Sequence, residues 1–134
     1  MSRTVVTPAT IGAPVTPYSH GILTDAKETF FIAGQVPIDQ DGKTVGIGDI
    51  EAQTRCVYAN LEAVLRESGM DWSNVAKFTI YLTRRQDRDP FSALREELFK
   101  EYYPKGEYPI STLVFVAGLY KEEFLIEIEA VAAR

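Results

Sequence analysis

The side chains in this chain that could do chemistry lie mostly near its two ends. Glu127 and Glu129 sit in a run that alternates strictly, with Phe124, Ile126, Ile128, Ala130 and Ala132 on one side and Leu125, Glu127, Glu129 and Val131 on the other. A period of two with branched and aromatic bulk predicts a half-buried β-strand. The two carboxylates then share a face, roughly 6.5–7 Å apart by the rise of a strand. Such a pair either sits in water or lines a cleft. Near the other end, Pro17-Tyr18-Ser19-His20-Gly21 sets a phenol and an imidazole in a loop flanked by stiff and permissive residues. Loops held in that way often carry function. His20 is the only histidine and Cys56 the only cysteine, so the sequence offers no metal-ligand cluster and no internal disulfide.

The elements that must position these residues follow from composition and pattern. A chain of 134 residues with 46% hydrophobic content predicts one domain, residues 1–134, able to bury a core without disulfide or metal. The net charge of −5 disfavours a general affinity for nucleic acid, which Lys and Arg drive. Arg84-Arg85 with Arg88 is the one basic cluster, and it reads as a solvated loop. The amino terminus, Met-Ser-Arg-Thr-Val-Val-Thr-Pro, lacks the apolar core of a signal peptide, and no run reaches the length of a membrane span. With a lone thiol this predicts a reducing, cytoplasmic setting.

Residues 3–7 read as a short strand, and residues 8–21 as a proline- and glycine-rich loop. Residues 28–34 read as a central strand, because both of its faces are apolar. Asp41-Gly42 predicts a reverse turn between Val36-Pro37-Ile38 and Lys43-Thr44-Val45. A helix is expected from an Asp49 cap to about Glu67, stopped by Gly69. Val75 to Leu82 alternates again, with Ala76, Phe78, Ile80 and Leu82 on the apolar side. Asp89-Pro90 predicts the start of a second helix with a stripe of Phe91, Leu94, Leu98, Phe99 and Tyr102. Two apolar runs, 108–118 and 124–132, complete the chain. The order predicts an α+β fold: one mixed β-sheet with two helices on a single face and an uncovered apolar face opposite.

Taken together, several stretches resemble the RidA/YjgF family. They are Gly12-Ala13-Pro14 to Pro17-Tyr18, Ile32-Ala33-Gly34-Gln35-Val36-Pro37, Gln53-Thr54-Arg55 with Asn60-Leu61, and Ile126-Glu127-Ile128-Glu129-Ala130-Val131-Ala132. They span nearly the whole chain in the family's order. The resemblance implies a chorismate-mutase-like fold, a homotrimer whose sheets form a central barrel, and small-molecule clefts between neighbouring subunits. It also implies cofactor-free hydrolysis of reactive enamines and imines to a keto acid and ammonia. By the same resemblance, Glu127 matches the carboxylate that positions or activates water, Tyr18 the tyrosine that closes the cleft, and Gly34 the glycine whose backbone lines the ligand site. His20 has no counterpart in the family and is a candidate proton shuttle only by its place two residues after Tyr18. Glu129 is expected to face water.

The departures bear on specificity. In the family's deaminases an arginine clamps the substrate carboxylate and a cysteine follows two residues on; here Ser111 and Leu113 hold those positions, in Pro109-Ile110-Ser111-Thr112-Leu113. Ala33 replaces the usual serine or threonine before Gly34. Loss of a bidentate guanidinium contact removes about 1.5–3 kcal/mol, which predicts a less charged pocket with a different preferred ligand. Ser111→Arg is then expected to confer activity on small imino acids. Two readings follow from the resemblance: a deaminase of non-standard specificity, or a non-catalytic trimer that binds a small metabolite. Ribonuclease activity, a label the family also carries, is disfavoured by the acidic chain.

Overall fold

The alternation after Phe124 does form a strand, and the whole sheet is built on it. The computed structural model describes residues 3–134. Met1 and Ser2, the start of the stretch read above for a signal peptide, lie outside the described residues. In chain order the elements are β1 (Arg3–Val6), β2 (Gly21–Thr24), β3 (Thr29–Gln35), α1 (Ile50–Glu67), β4 (Val75–Leu82), α2 (Arg88–Tyr102), β5 (Ile110–Phe115) and β6 (Ile126–Ala133). The main sheet has the order β3-β6-β4-β5, with β6 antiparallel to both neighbours and β4 parallel to β5. This is the mixed α+β sheet expected. Among the described residues no helix is long and apolar enough to cross a membrane.

Both helices cover one face. Ile126, Ile128, Ala130 and Ala132 of β6, with Phe78, Ile80 and Leu82 of β4, are buried against Val57, Tyr58, Leu61 and Leu65 of α1 and Phe91 and Phe99 of α2. Tyr58 is the hub, its ring centroid 6.1 Å from those of Trp72, Phe78, Phe99 and Tyr102. Edge-on contacts of this kind add to burial. Asp49 caps α1 by accepting from the Ala52 amide at 3.1 Å. The helix stops where Gly69 takes a φ of +78°, letting its amide bond to Arg66 and the Met70 amide to Leu65. That is the pair of bonds a glycine stop is suited to make.

Several expectations need correction. β3 is an edge strand, not a central one. Apolarity on both faces reports what lies above and below a strand and says nothing of its neighbours within the sheet. The sheet is also not alone: β1 and β2 form a separate two-stranded ribbon that leaves Val5, Val6 and Leu23 exposed. β2 falls directly after the segment read as loop, and four residues are too few to show a period. A register shift between Val75 and Lys77 puts Val75, not Ala76, in the core. Leu125 precedes β6 and is buried with Phe124, so it does not share the outer face with Glu127. The Asp41-Gly42 turn is present, Gly42 at φ +77°, but its arms meet in a single bridge between Ile38 and Thr44. Finally, α2 begins at Arg88, two residues before the expected first position at Pro90, and its cap is Asp87 rather than Asp89. Asp87, the residue before it, has its carboxylate held by a two-bond fork from Arg84, both bonds 2.8 Å. Pro90 still falls in the first turn, where no intrahelical donor is missed.

Candidate functional site

On the face of the sheet away from the helices, β6 presents Glu127, Glu129 and Val131, all half-buried. Across from them lie Tyr81 opposite Glu127 and Thr79 opposite Glu129 on β4. On β3, a register shift between Ile32 and Gln35 leaves an extra residue at Ala33-Gly34. This bulge brings the Gly34 backbone against the Glu127 side chain. A Cβ on Gly34 would stand 2.7 Å from Cδ and 2.9 Å from Cγ of Glu127. With an ordinary φ at Gly34, any side chain there would act by pushing the Glu127 carboxylate from its position.

The pair of acids is not equally placed. Withdrawal from water, and then the charge of Glu129, pushes the Glu127 carboxyl above its ordinary pKa. Glu129 accepts a hydrogen bond from the Tyr81 hydroxyl at 2.6 Å, and that bond pushes the tyrosine pKa up. Glu129 also lines a groove of about 400 Å³ with Phe31, Ala33, Lys77, Thr79 and Val131. So Glu129, expected in open water, is a groove residue. Glu127 stands two residues along β6, beside Gly34 and beyond the residues that line this groove. Phe31 is 77% exposed and Val114 39%, so this face is open as expected, but it is mixed rather than apolar, because Lys77, Thr79, Tyr81, Glu127 and Glu129 share it.

The remaining candidates gather elsewhere. Ser111 pairs with Phe78 and Leu113 with Ile80, so both point to the helix side, where Leu113 packs on the core. Tyr18 and His20 travel with that same strand, because Ser19 bridges to Ile110, its amide bonds to the Pro109 carbonyl at 3.0 Å and its hydroxyl donates to the Tyr108 carbonyl. Tyr18 and His20 meet edge to face at 5.8 Å, and His20 Nε2 lies 2.7 Å from the Gly12 carbonyl, to which it donates. Within one chain, then, the candidates are split: Glu127, Gly34 and Ala33 belong to the outer face near the β3 edge, Ser111 and Leu113 point to the helix side, and the Tyr18 loop runs beside β5 at the opposite edge. Neither Arg84 nor Arg85 joins them. Arg84 is committed to Asp87, and Arg85 lies over the Phe115 ring at 4.8 Å. Among the described residues no group of three potential metal ligands exists.

Two residues escaped the sequence reading. Tyr81 stands on the polar side of β4 with Lys77 and Thr79. Arg95 is 3% exposed, and its Nη1 donates to Ser111 Oγ at 3.5 Å. The spacing of Phe91, Arg95 and Phe99 by four places Arg95 in the buried stripe of α2, a signal that the charge of the residue concealed.

Comparison with known proteins agrees with this architecture. The profile of the family described as endoribonuclease L-PSP matches residues 9–134. A RutC family protein of Synechocystis is 36% identical over 133 residues, 98% of this chain and 97% of the relative, and one of Pyrococcus abyssi is 35% identical over 98% of each. Among solved structures, the Rid-family protein YyfB of Yersinia pestis superposes with a TM-score of 0.88 at 32% identity, with both chains fully covered. TdcF of E. coli, solved with bound serine, gives a TM-score of 0.71 at 26% identity over 98% of both chains. The chain belongs to the endoribonuclease L-PSP family, the group that holds the RutC and Rid proteins.

Proposed function

We propose that this protein is a single-domain, cofactor-free deaminase that hydrolyses an enamine or imine in clefts between the subunits of a cytoplasmic homotrimer. The observation that carries the reading is the Glu127 carboxylate, half-withdrawn from water against the Gly34 bulge with its pKa raised. Hydrolysis of an imine needs a base for water and an acid for nitrogen, and one carboxylate of raised pKa serves both turns. Glu127 takes a proton from water as the oxygen adds to the imine carbon, the C=N electron pair goes to nitrogen, and Glu127 hands the proton on to that nitrogen. The carbinolamine then collapses: Glu127 carries the hydroxyl proton to nitrogen, the C–N bond breaks as the C=O bond forms, and ammonia leaves.

The separation of the candidates supports the trimer: packing of a second copy is what brings Tyr18 and Ser111 to Glu127 and Gly34, and Phe31 and Val114 are the exposed apolar side chains that such packing buries. The test is ammonia release from a panel of enamines generated in place by an amino-acid oxidase or lyase. Activity that disappears in Glu127→Ala supports the reading, and activity that survives it removes it.

Two expected results refine the roles. Gly34→Ala pushes the carboxylate off its position, so kcat falls roughly tenfold or more while the melting temperature moves little. Equal loss of both would mean that Gly34 serves the strand alone. Glu129→Gln removes the charge that helps to raise the Glu127 pKa. If ionised Glu127 is the base, the acid limb of the kcat/KM profile moves to lower pH, and an unmoved limb would separate the two acids.

A second reading, a trimer that binds a metabolite without hydrolysis, is favoured by Ser111 standing where the deaminases carry an arginine. That a relative was solved with bound serine fits either reading. Inactivity across the panel together with measurable binding of a small ligand would select it.

A further inference from the structure

His20 sits at the foot of a loop that has little else to hold it. The β1-β2 ribbon closes the loop at its base, where Val6 pairs with Gly21, and Ser19 is bonded to the chain entering β5. Beyond that base the loop is open to solvent, with Ile11 52% and Val15 88% exposed. Among the described residues, the bond of 2.7 Å from His20 Nε2 to the Gly12 carbonyl is the one hydrogen bond that ties residues 8–15 to this base. A carbonyl oxygen has no proton to give, so the ring donates and Nε2 must carry the hydrogen. The same ring stands edge-on to Tyr18, their centroids 5.8 Å apart at an interplanar angle of 88°, a geometry that aromatic pairs favour. Pro14 and Pro17 each fix one backbone torsion of the intervening chain. With those torsions set, a tie at Gly12 restrains the whole segment between it and Tyr18.

We infer that His20 is the clasp of this loop, a positioning residue that holds residues 12–18 folded and the Tyr18 ring in place before any ligand arrives. This rests on the reading that Tyr18 closes the cleft, and it names the side chain that readies Tyr18 for that task. It takes the place of the proton-shuttle role, and the two differ in their kinetics. A shuttle acts in the making and breaking of bonds, so its loss lowers kcat. A clasp acts on the ligand-free protein. Without it, the ordering of several residues is deferred to the binding step, so KM rises while kcat stays near its value. The bond lies at the surface, so its loss leaves the core and the melting temperature unchanged.

The test compares the full-length wild type with His20→Phe and His20→Gln. Phenylalanine keeps a ring edge for Tyr18 and loses the donor, whereas glutamine keeps a donor of similar reach and loses the ring. Because His20 is the only histidine, its ring nitrogens are read by NMR without ambiguity, and the neutral ring is expected to carry its hydrogen on Nε2. Backbone order parameters of the non-proline residues from 12 to 18 are expected at about 0.85 in the wild type and His20→Gln, and below about 0.6 in His20→Phe. On the enamine panel, His20→Phe raises KM roughly ten- to a hundredfold at nearly constant kcat, and His20→Gln recovers most of that loss. A hydrogen on Nδ1, a loop as ordered in His20→Phe as in the wild type, or a fall in kcat at constant KM overturns the inference. If the wild type hydrolyses nothing in the panel, the deaminase reading fails, and the clasp still stands or falls on the order parameters and on whether the Tyr18 ring resonances move in His20→Phe. If imines are hydrolysed and the loop keeps its order without His20, the clasp fails and the deaminase reading stands.

Discussion

Glu127→Gln is expected to lower ammonia release by roughly 10²–10⁴-fold, the range for removal of a general acid–base group, while the protein folds and assembles as before. The amide keeps the shape and loses the proton chemistry. The sign of the stability effect is fixed by the direction of the pKa shift. Burial and the charge of Glu129 raise the Glu127 pKa in the folded chain, so its ionisation opposes folding. Whatever stability the group contributes is present below the unfolded carboxylate pKa and is lost as pH rises through the folded one. At neutral pH the glutamine variant should therefore be no less stable than the wild type. Thermal melts at pH 4 and pH 7 check this, and a variant that loses activity and stability together at pH 7 would recast Glu127 as a structural residue.

The second large effect is expected at Gln53, which is fully buried in α1. Its side-chain amide donates to the Glu123 carbonyl at 2.9 Å, and its oxygen accepts from the Leu125 amide at 2.8 Å. Thr44 adds a bond to the Glu123 carboxylate at 2.9 Å, which helps the backbone amide of Glu123 to hold that acid below its ordinary pKa. These contacts fix the chain just before β6, and hence the register that carries Glu127. Gln53→Leu leaves the buried Leu125 amide unpaired, at about 1–3 kcal/mol, and frees the part-buried Glu123 carbonyl as well. The melting temperature should fall by on the order of 10 °C, and kcat should fall with it even well below the melt. A fall of less than about 2 °C would mean that water replaces the side chain without loss.

The sequence was most legible where periodicity and capping agree. β6, β4 and α1 were readable because alternation, the Asp49 cap and the Gly69 stop each point to the same element. Gly34 was assigned through the family resemblance, but the reason for a glycine there, a bulge pressed against Glu127, depends on the register of two strands far apart in sequence. The same holds for Gln53, which is 70 residues from Glu123 and 72 from Leu125. β3 was misplaced within the sheet because a face pattern carries no information about neighbours. Arg95 was missed because an arginine in an apolar stripe is ordinarily taken to reach out to water, whereas here it reaches across to β5.

The central claim is that catalysis needs one half-site from each of two copies, with Glu127 as the base. It is tested most directly by co-expressing two inactive variants, Glu127→Gln and Tyr18→Ala, and measuring ammonia release from the purified mixed assembly. In a ring of identical interfaces, random mixing rebuilds about one cleft in four with both halves intact, so activity that neither variant shows alone should return in that proportion. Mixed assemblies of verified composition that stay as inactive as the single variants would contradict the account.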